Sequence, residues 1–193
     1  MGRLDKSLDV LQKAHSLAPG DSDILRELGI SDFLSGKLDP AIENLEAMRS
    51  IPRTEGDRSE DLMDLYYLGR AYQEKGDFTK ALPFFLEVRK EMPEFIEVYH
   101  NLGLVYGRMD QKGLSHLCFA KYFKLRGERN NALLHLRKAS EFLEKGSPER
   151  EEVQREIKEM TGEKKEINKA MINCQLTIIK QEKNLNHEES HAV

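Results

Sequence analysis

An all-α solenoid of helix–turn–helix hairpins is the fold the sequence predicts, and three observations predict it. Between residues 62 and 93 apolar side chains recur at helical spacing on both sides of Gly76. Leu65, Leu68 and Tyr72 precede it, and Phe78, Ala81, Phe85 and Val88 follow it. Gly76-Asp77 breaks the run and Pro93 closes it. The small residues Gly69 and Ala81 stand inside the two helices, where the backbones must approach closely. The pattern then returns on both sides of this stretch. Finally, the chain is 39 % hydrophobic and 33 % charged, has no tryptophan, and shows little clustering of β-branched residues, which favours helices over strands.

The unit at 62–93 resembles the tetratricopeptide repeat. The family's pattern of Leu-Gly, Tyr, Gly, Ala, Phe and terminal Pro falls on Leu68-Gly69, Tyr72, Gly76, Ala81, Phe85 and Pro93. The resemblance implies a right-handed solenoid whose first helices line a concave face.

Taken in order, residues 2–19 match the second half of a repeat through Gly2, Leu4, Ser7, Leu11, Ala14 and Pro19. The first helix of that repeat is missing. Since a solenoid unit does not bury its face alone, the expectation is a piece of a longer protein or a lost helix. Residues 22–51 form a full hairpin with Leu25, Leu28-Gly29, Phe33, Gly36, Ala41, Leu45 and Met48. Asp21 or Ser22 suits the first cap, and Asp39-Pro40 the start of the second helix. Residues 52–61 carry no apolar side chain and read as a polar loop. Gly29 to Gly69 is a step of 40 residues, against about 34 in the plain repeat, and the loop absorbs the excess. Pro83 lies inside a second helix, where an irregular first turn is expected.

Residues 94–109 open another unit with Tyr99, Leu102-Gly103 and Tyr106. Residues 113–126, with Leu117, Ala120 and Phe123, read as a first helix, so that one second-helix sequence is dropped or replaced while helices still alternate along the solenoid. Residues 127–142 supply a second helix with Gly127, Ala132, Leu136 and Ala139. Ser147-Pro148 caps a charged helix whose stripe of Val153, Ile157, Met160, Ile167, Met171, Cys174, Ile178 and Leu185 is heptad-like. Gly162 kinks or hinges it. The domain reading is a solenoid over 1–146, with a partial repeat at 1–21, hairpins at 22–51 and 62–93, and an irregular unit at 94–146. A helical extension over 147–185 and a disordered tail over 186–193 complete it. The half at 163–185 is expected to mediate self-association, giving a homodimer.

Catalytic signals are weak. His187-Glu188-Glu189-Ser190-His191 fits H-E-x-x-H, which binds zinc on a buried helix with a third ligand. Only Ala192 and Val193 follow it and polar residues precede it, so it reads as a chance match, with no metal or other cofactor and no catalytic residue. The segment 107–160 is also similar to the end of bacterial cell-envelope HExxH metalloproteases that carry such repeats. That resemblance implies a substrate-recruiting region whose catalytic domain lies upstream, and a periplasmic setting. It does not cover the tail. Without it the cytoplasm is the default, since the first ten residues hold no apolar signal region. Cys118 and Cys174 match no metal or redox spacing. Acidic and basic residues alternate along the chain, whose net charge is −4, which argues against nucleic acid as partner. No apolar run approaches the roughly 20 residues of a membrane span.

The function implied by the repeat resemblance is binding of a protein or peptide in the concave groove. The expected lining is Arg26, Ile30 and Phe33 in one hairpin, and Met63, Tyr66, Arg70 and Gln73 in the next. Glu97, His100, Asn101, Leu104 and Arg108 complete it. Tyr and Arg are common interface anchors. The co-chaperone members of the family hold a carboxylate with Lys and Asn at matched places. Here Ile30 and Tyr67 stand where Asn is expected, which argues against that clamp.

Overall fold

The computed structural model describes residues 2–51 and 58–162, with side chains from residue 7 onward and, after the gap, from residue 62. No strand occurs among them. The chain divides into two compact units, Met1–Phe142 and Leu143–Val193.

The described helices of the first unit are α1 (Gly2–Leu17), α2 (Ser22–Leu34), α3 (Leu38–Ser50), α4 (Arg58–Lys75), α5 (Phe78–Glu91), α6 (Ile96–Arg108), α7 (Lys112–Leu125) and α8 (Arg129–Phe142). Their termini follow from local chemistry. The Asp21 carboxylate accepts the N–H groups of Asp23 and Ile24 and starts α2. Asp39 and Pro40 fall in the first turn of α3, where a missing N–H matters least. α5 runs through Pro83 without a break. α4 begins at Arg58, inside the stretch read as loop. A first turn needs no apolar residue. The rest of that polar stretch, 52–57, lies outside the described residues.

Four turns share one geometry. The N–H of Lys37 donates to the carbonyl of Asp32, Asp77 to Tyr72, Gln111 to Tyr106 and Glu128 to Phe123. This bond closes a helix C-terminus through a residue in the left-handed region. Gly36, Gly76 and Gly127 supply that residue at φ 77°, 84° and 75°, and Asp110 supplies it at φ 58°. The bonding identifies α2–α3, α4–α5, α6–α7 and α7–α8 as successive hairpins of one kind.

Inside the hairpins a glycine receives a large side chain. A Cβ on Gly29 would lie 2.6 Å from Leu45 Cγ, one on Gly69 2.9 Å from Phe85 Cε1, and one on Gly103 2.8 Å from Phe119 Cζ. Leu45 and Phe85 are fully buried. The core runs continuously from Phe33 through Tyr66, Leu68, Phe85, Val98 and Leu102 to Cys118. α3 packs on α4 and α5 on α6, while α2 touches α4 and α4 touches α6.

The reading of residues 113–126 as a first helix describes one of two faces. α7 packs on α6 as its second helix, with Phe119 on Gly103 and the Ser115 hydroxyl donating to the Gly103 carbonyl at 2.7 Å. The same α7 packs on α8 as a first helix. It has two working faces, so the two hairpins overlap.

In the second unit a helix covers 148–162. Ser147 Oγ accepts the Arg150 N–H at 3.2 Å, and the Arg150 guanidinium donates to the Leu143 carbonyl at 2.7 Å. Thr161 and Gly162 are helical, and Thr161 Oγ1 donates to the Ile157 carbonyl. The stripe from Ile167 to Leu185, Cys174, the self-association segment 163–185 and the 187–191 motif lie outside the described residues. No described helix is long and apolar enough to cross a membrane.

Candidate functional site

The first helices α2, α4 and α6 carry the residues expected to line the groove, and the structure sorts them into two groups. The first is internal. Arg26 reaches from α2 to α4, donating from Nε to Asp64 Oδ2 at 2.9 Å, and also pairs with Asp23 at 3.0 Å. Its side chain is only 12 % exposed and that of Asp64 is 1 % exposed. Phe33, Tyr66 and Asn101 are buried. Asn101 Nδ2 donates to the Tyr66 hydroxyl and to the Glu97 carbonyl, both at 3.0 Å. The expectation that these four residues face a ligand is therefore corrected. Tyr66 sits one helical turn from the packed positions, yet its ring is enclosed by Phe85 and Phe95. The cause is the neighbouring hairpin, which covers more of α4 than one helix face. Burial pushes the Tyr66 phenol up, against the charge of nearby Arg70. Ile30 and Met63 are half-buried against the same core.

The second group remains at the surface. Arg70 lies 4.8 Å above the Phe33 ring and pairs with Glu74 at 2.8 Å. Glu97, Leu104 and Arg108 are exposed, and Gln73 and His100 half-exposed. Of these residues, His100 lines a hollow.

That feature follows from the double use of α7. α2 meets α4 and α4 meets α6, and these contacts are stitched by Arg26–Asp64 and Asn101–Tyr66. Among the described residues, α6 and α8 approach each other less than either of these pairs. Between them, over α7, opens a hollow of about 380 Å³. α6 contributes His100, α8 His135, and α7 the aromatic floor of Phe119, Tyr122 and Phe123, with Arg126 and Glu128 at the end. The His100 ring stands at 71° to Phe119, with centroids 5.8 Å apart, and His135 approaches Phe119 at 5.4 Å and Phe123 at 5.2 Å. Arg126 donates to the Tyr122 hydroxyl at 2.6 Å and to Glu128 at 2.7 Å. Sequence reasoning reached His100 alone of these. The available signal was spacing: Phe119 follows Gly103 as Phe85 follows Gly69.

Behind the hollow, His116 Nδ1 and His135 Nδ1 lie 3.1 Å apart. Such a bond needs one ring to carry a proton at Nδ1 and the other to be neutral and present a lone pair there. Burial first, then Lys138, lowers the His116 pKa, partly offset by Glu141. Burial, then His116, then Lys138, lowers that of His135. A base whose folded pKa is depressed binds fewer protons folded than unfolded. Its contribution to stability is full above the unfolded value of about 6.5 and is lost as pH falls through the folded values. The melting temperature is therefore expected to fall on acidification below pH ~6.5. The double variant His116→Gln/His135→Gln should show a flatter profile, and parallel profiles would rule out this origin.

Cys118 is buried, and desolvation pushes its thiol up to about 12, with nearby Arg89 acting in the opposite direction. It is a packed side chain rather than a nucleophile.

No protein-family model matches the sequence, and no curated protein matches it. Solved structures do. MamA from Desulfovibrio magneticus RS-1 is similar at a TM-score of 0.59 and 18 % identity, over 88 % of each chain. YrrB, a TPR protein with an unusual peptide-binding site, gives 0.56 and 14 %, over 83 % of this chain and 79 % of its own. The C-terminal part of a TPR repeat-containing protein from Cytophaga hutchinsonii gives 0.55 and 14 %, over 72 % and 60 %. At these identities the likeness concerns the fold. It supports the repeat resemblance and lends none to the metalloprotease one.

Proposed function

From an all-α tetratricopeptide-repeat solenoid as premise, we propose that this chain is a non-catalytic interaction module that holds a peptide or protein segment along its first-helix face, anchored in the hollow between α6, α7 and α8. The observation that carries the reading is the hollow itself. Binding sites are concave, mostly apolar, and carry a few placed polar groups. An aromatic floor with two imidazoles, a phenol and an ion pair at its edge meets that description. Its volume of about 380 Å³ suits one large side chain with its flanking backbone. The fold supports the class of function, since YrrB binds peptide on such a scaffold.

The rest of the first-helix face fits an accessory role. Leu104, 39 % exposed, Glu97 and Arg108 belong to α6, one wall of the hollow, and Arg70 lies on the preceding first helix. A random-peptide phage library panned on the full chain tests the reading. Enriched peptides should lose binding to Tyr122→Ala while keeping it with Val10→Ala, a change on exposed α1 surface. Enrichment indifferent to Tyr122→Ala would move the site off the hollow.

A further inference from the structure

We infer that His116 and His135 form a binding site for a divalent transition-metal ion of the zinc class, held between α7 and α8 by one nitrogen of each ring. This goes beyond the peptide-binding reading and does not depend on it. Neutral imidazole is the commonest side-chain ligand of such ions, through Nδ1 or Nε2. The two Nδ1 atoms lie 3.1 Å apart on different helices. Two imidazole nitrogens about 2.0–2.1 Å from one zinc ion in tetrahedral geometry lie about 3.3–3.4 Å from each other. The pair is within about 0.3 Å of that edge, a difference that a small turn of either ring absorbs.

A hydrogen bond between two packed rings accounts for the short distance by itself. Three observations go further. The rings are oriented by their surroundings as well as by each other. His116 stacks on Phe142 at 5.8 Å and 29°, and His135 packs on Phe119 at 5.4 Å and on Phe123 at 5.2 Å. Ligands held by packing lose little freedom when an ion arrives. The helices that carry them are tied at their turn by the Glu128 N–H, which donates to the Phe123 carbonyl at 2.8 Å, so the hairpin sets the spacing. Both rings are half-buried rather than sealed, which lets water reach the pair and complete the coordination. Burial also favours the neutral rings, so that protons compete weakly for the lone pairs at neutral pH. Of the charges nearby, Lys138 opposes a cation at His116 and Glu141 favours one. Lys112 lies over the Phe142 ring and pairs with Asp110 at 3.3 Å.

Among the described residues no group of three or more His, Cys, Asp or Glu gathers around a point where an ion could sit. The chain therefore supplies two ligands and water the others. Two imidazoles select zinc, copper or nickel over magnesium and calcium, which take oxygen ligands. Binding uses both Nδ1 lone pairs. The ring that donates in the N–H···N bond must therefore carry its proton on Nε2 instead. Two nitrogen–metal bonds then replace two metal–water bonds, with no net release of protons from neutral rings.

The test uses the full, tag-free chain with His187→Ala/His191→Ala, which removes the other closely spaced histidine pair in the sequence, and zinc chloride as the probe. Calorimetric titration should show saturable one-to-one binding. Zinc at about 100 times its Kd should raise the melting temperature by roughly 5–10 °C. His116→Gln and His135→Gln should each weaken binding by at least about tenfold, since loss of a ligand costs no less than loss of its outer partner, and should abolish that rise. Zinc should also move the imidazole ¹⁵N resonances of both histidines to the Nε2–H form. This last measurement needs neither glutamine variant and decides the matter if one of them fails to fold. The inference is overturned if both glutamine variants bind zinc as tightly as their parent, if magnesium binds as well as zinc, or if the two imidazoles do not respond.

Discussion

Gly69→Leu is expected to destabilise the protein by about 1–3 kcal/mol. For a chain of this size that lowers the melting temperature by roughly 3–10 °C. Gly69 is in the interior of α4, where glycine costs about 1 kcal/mol relative to alanine. Gly69→Ala would recover that propensity but would place a Cβ 2.9 Å from Phe85 Cε1 and 3.1 Å from Cδ1. The neighbour is the rim of a fully buried ring, not the free end of a flexible chain. Phe85 yields only by turning against Tyr66, whose centroid is 6.0 Å away. Leucine adds three further carbons to the same contact, so overpacking outweighs the gain in propensity. Gly20→Ala, with nothing within 4 Å of the new Cβ, is the matched control and should leave the melting temperature nearly unchanged. Equal melting curves for Gly69→Leu and Gly20→Ala would mean that α4 and α5 do not approach at this point.

The Gly69–Phe85 contact was legible because every level of the sequence agreed on it. Helical spacing, a small residue, a turn glycine and a closing proline pointed to one hairpin. At α6–α7 one of those signals changes. Asp110 takes the left-handed turn position that Gly36 and Gly76 hold in their hairpins. Aspartate tolerates that conformation better than most residues, so the turn forms without its usual marker. Ser115 likewise stands where the other second helices carry Ala41 and Ala81. With both markers absent, α7 reads only through its other face, Leu117, Ala120 and Phe123, as a first helix. A helix used on two faces is ambiguous to any single periodicity. The hollow is the consequence of that second use, so it was hidden along with the helix.

The binding residues were harder to read for a different reason. Helical geometry places Arg26, Phe33, Tyr66 and Asn101 one turn from the packed positions, as expected. It says nothing of how much of that face the next hairpin covers. Burial here depends on partners far along the chain: Asp64 for Arg26, and Asn101 for Tyr66. Tyr and Arg are interface anchors when exposed and inter-repeat stitches when covered. The sequence distinguishes the two only through the partner, and Asp64 is the clue. An aspartate between Met63 and Leu65 on a packed face requires a cation, and Arg26 is the matching first-helix residue of the hairpin before.

That pair supports the last expectation, on Arg26→Ala. Asp64 is fully buried on α4, with its side chain 1 % exposed, and Arg26 Nε donates to its Oδ2 at 2.9 Å. Removing the guanidinium strips a hydrogen-bonded cation from a buried carboxylate. The cost is set by the charge left behind rather than by the attraction lost, and runs to about 3–5 kcal/mol. The expected fall in melting temperature is about 10 °C, and it should be accompanied by loosening between the hairpins that α2 and α4 begin. The companion variant separates the two origins. Arg26→Met/Asp64→Leu removes both charges and fills the space with apolar atoms. Replacement of a buried pair by such residues is often neutral or stabilising, so the double variant should melt well above Arg26→Ala. The coupling between the two sites in the double-mutant cycle is then large and positive. Arg26 would return to the list of groove residues if Arg26→Ala kept the parental melting temperature and instead weakened binding of the phage-selected peptides. A double variant as unstable as the single one would assign the loss to the aliphatic stem of Arg26, not to its charge.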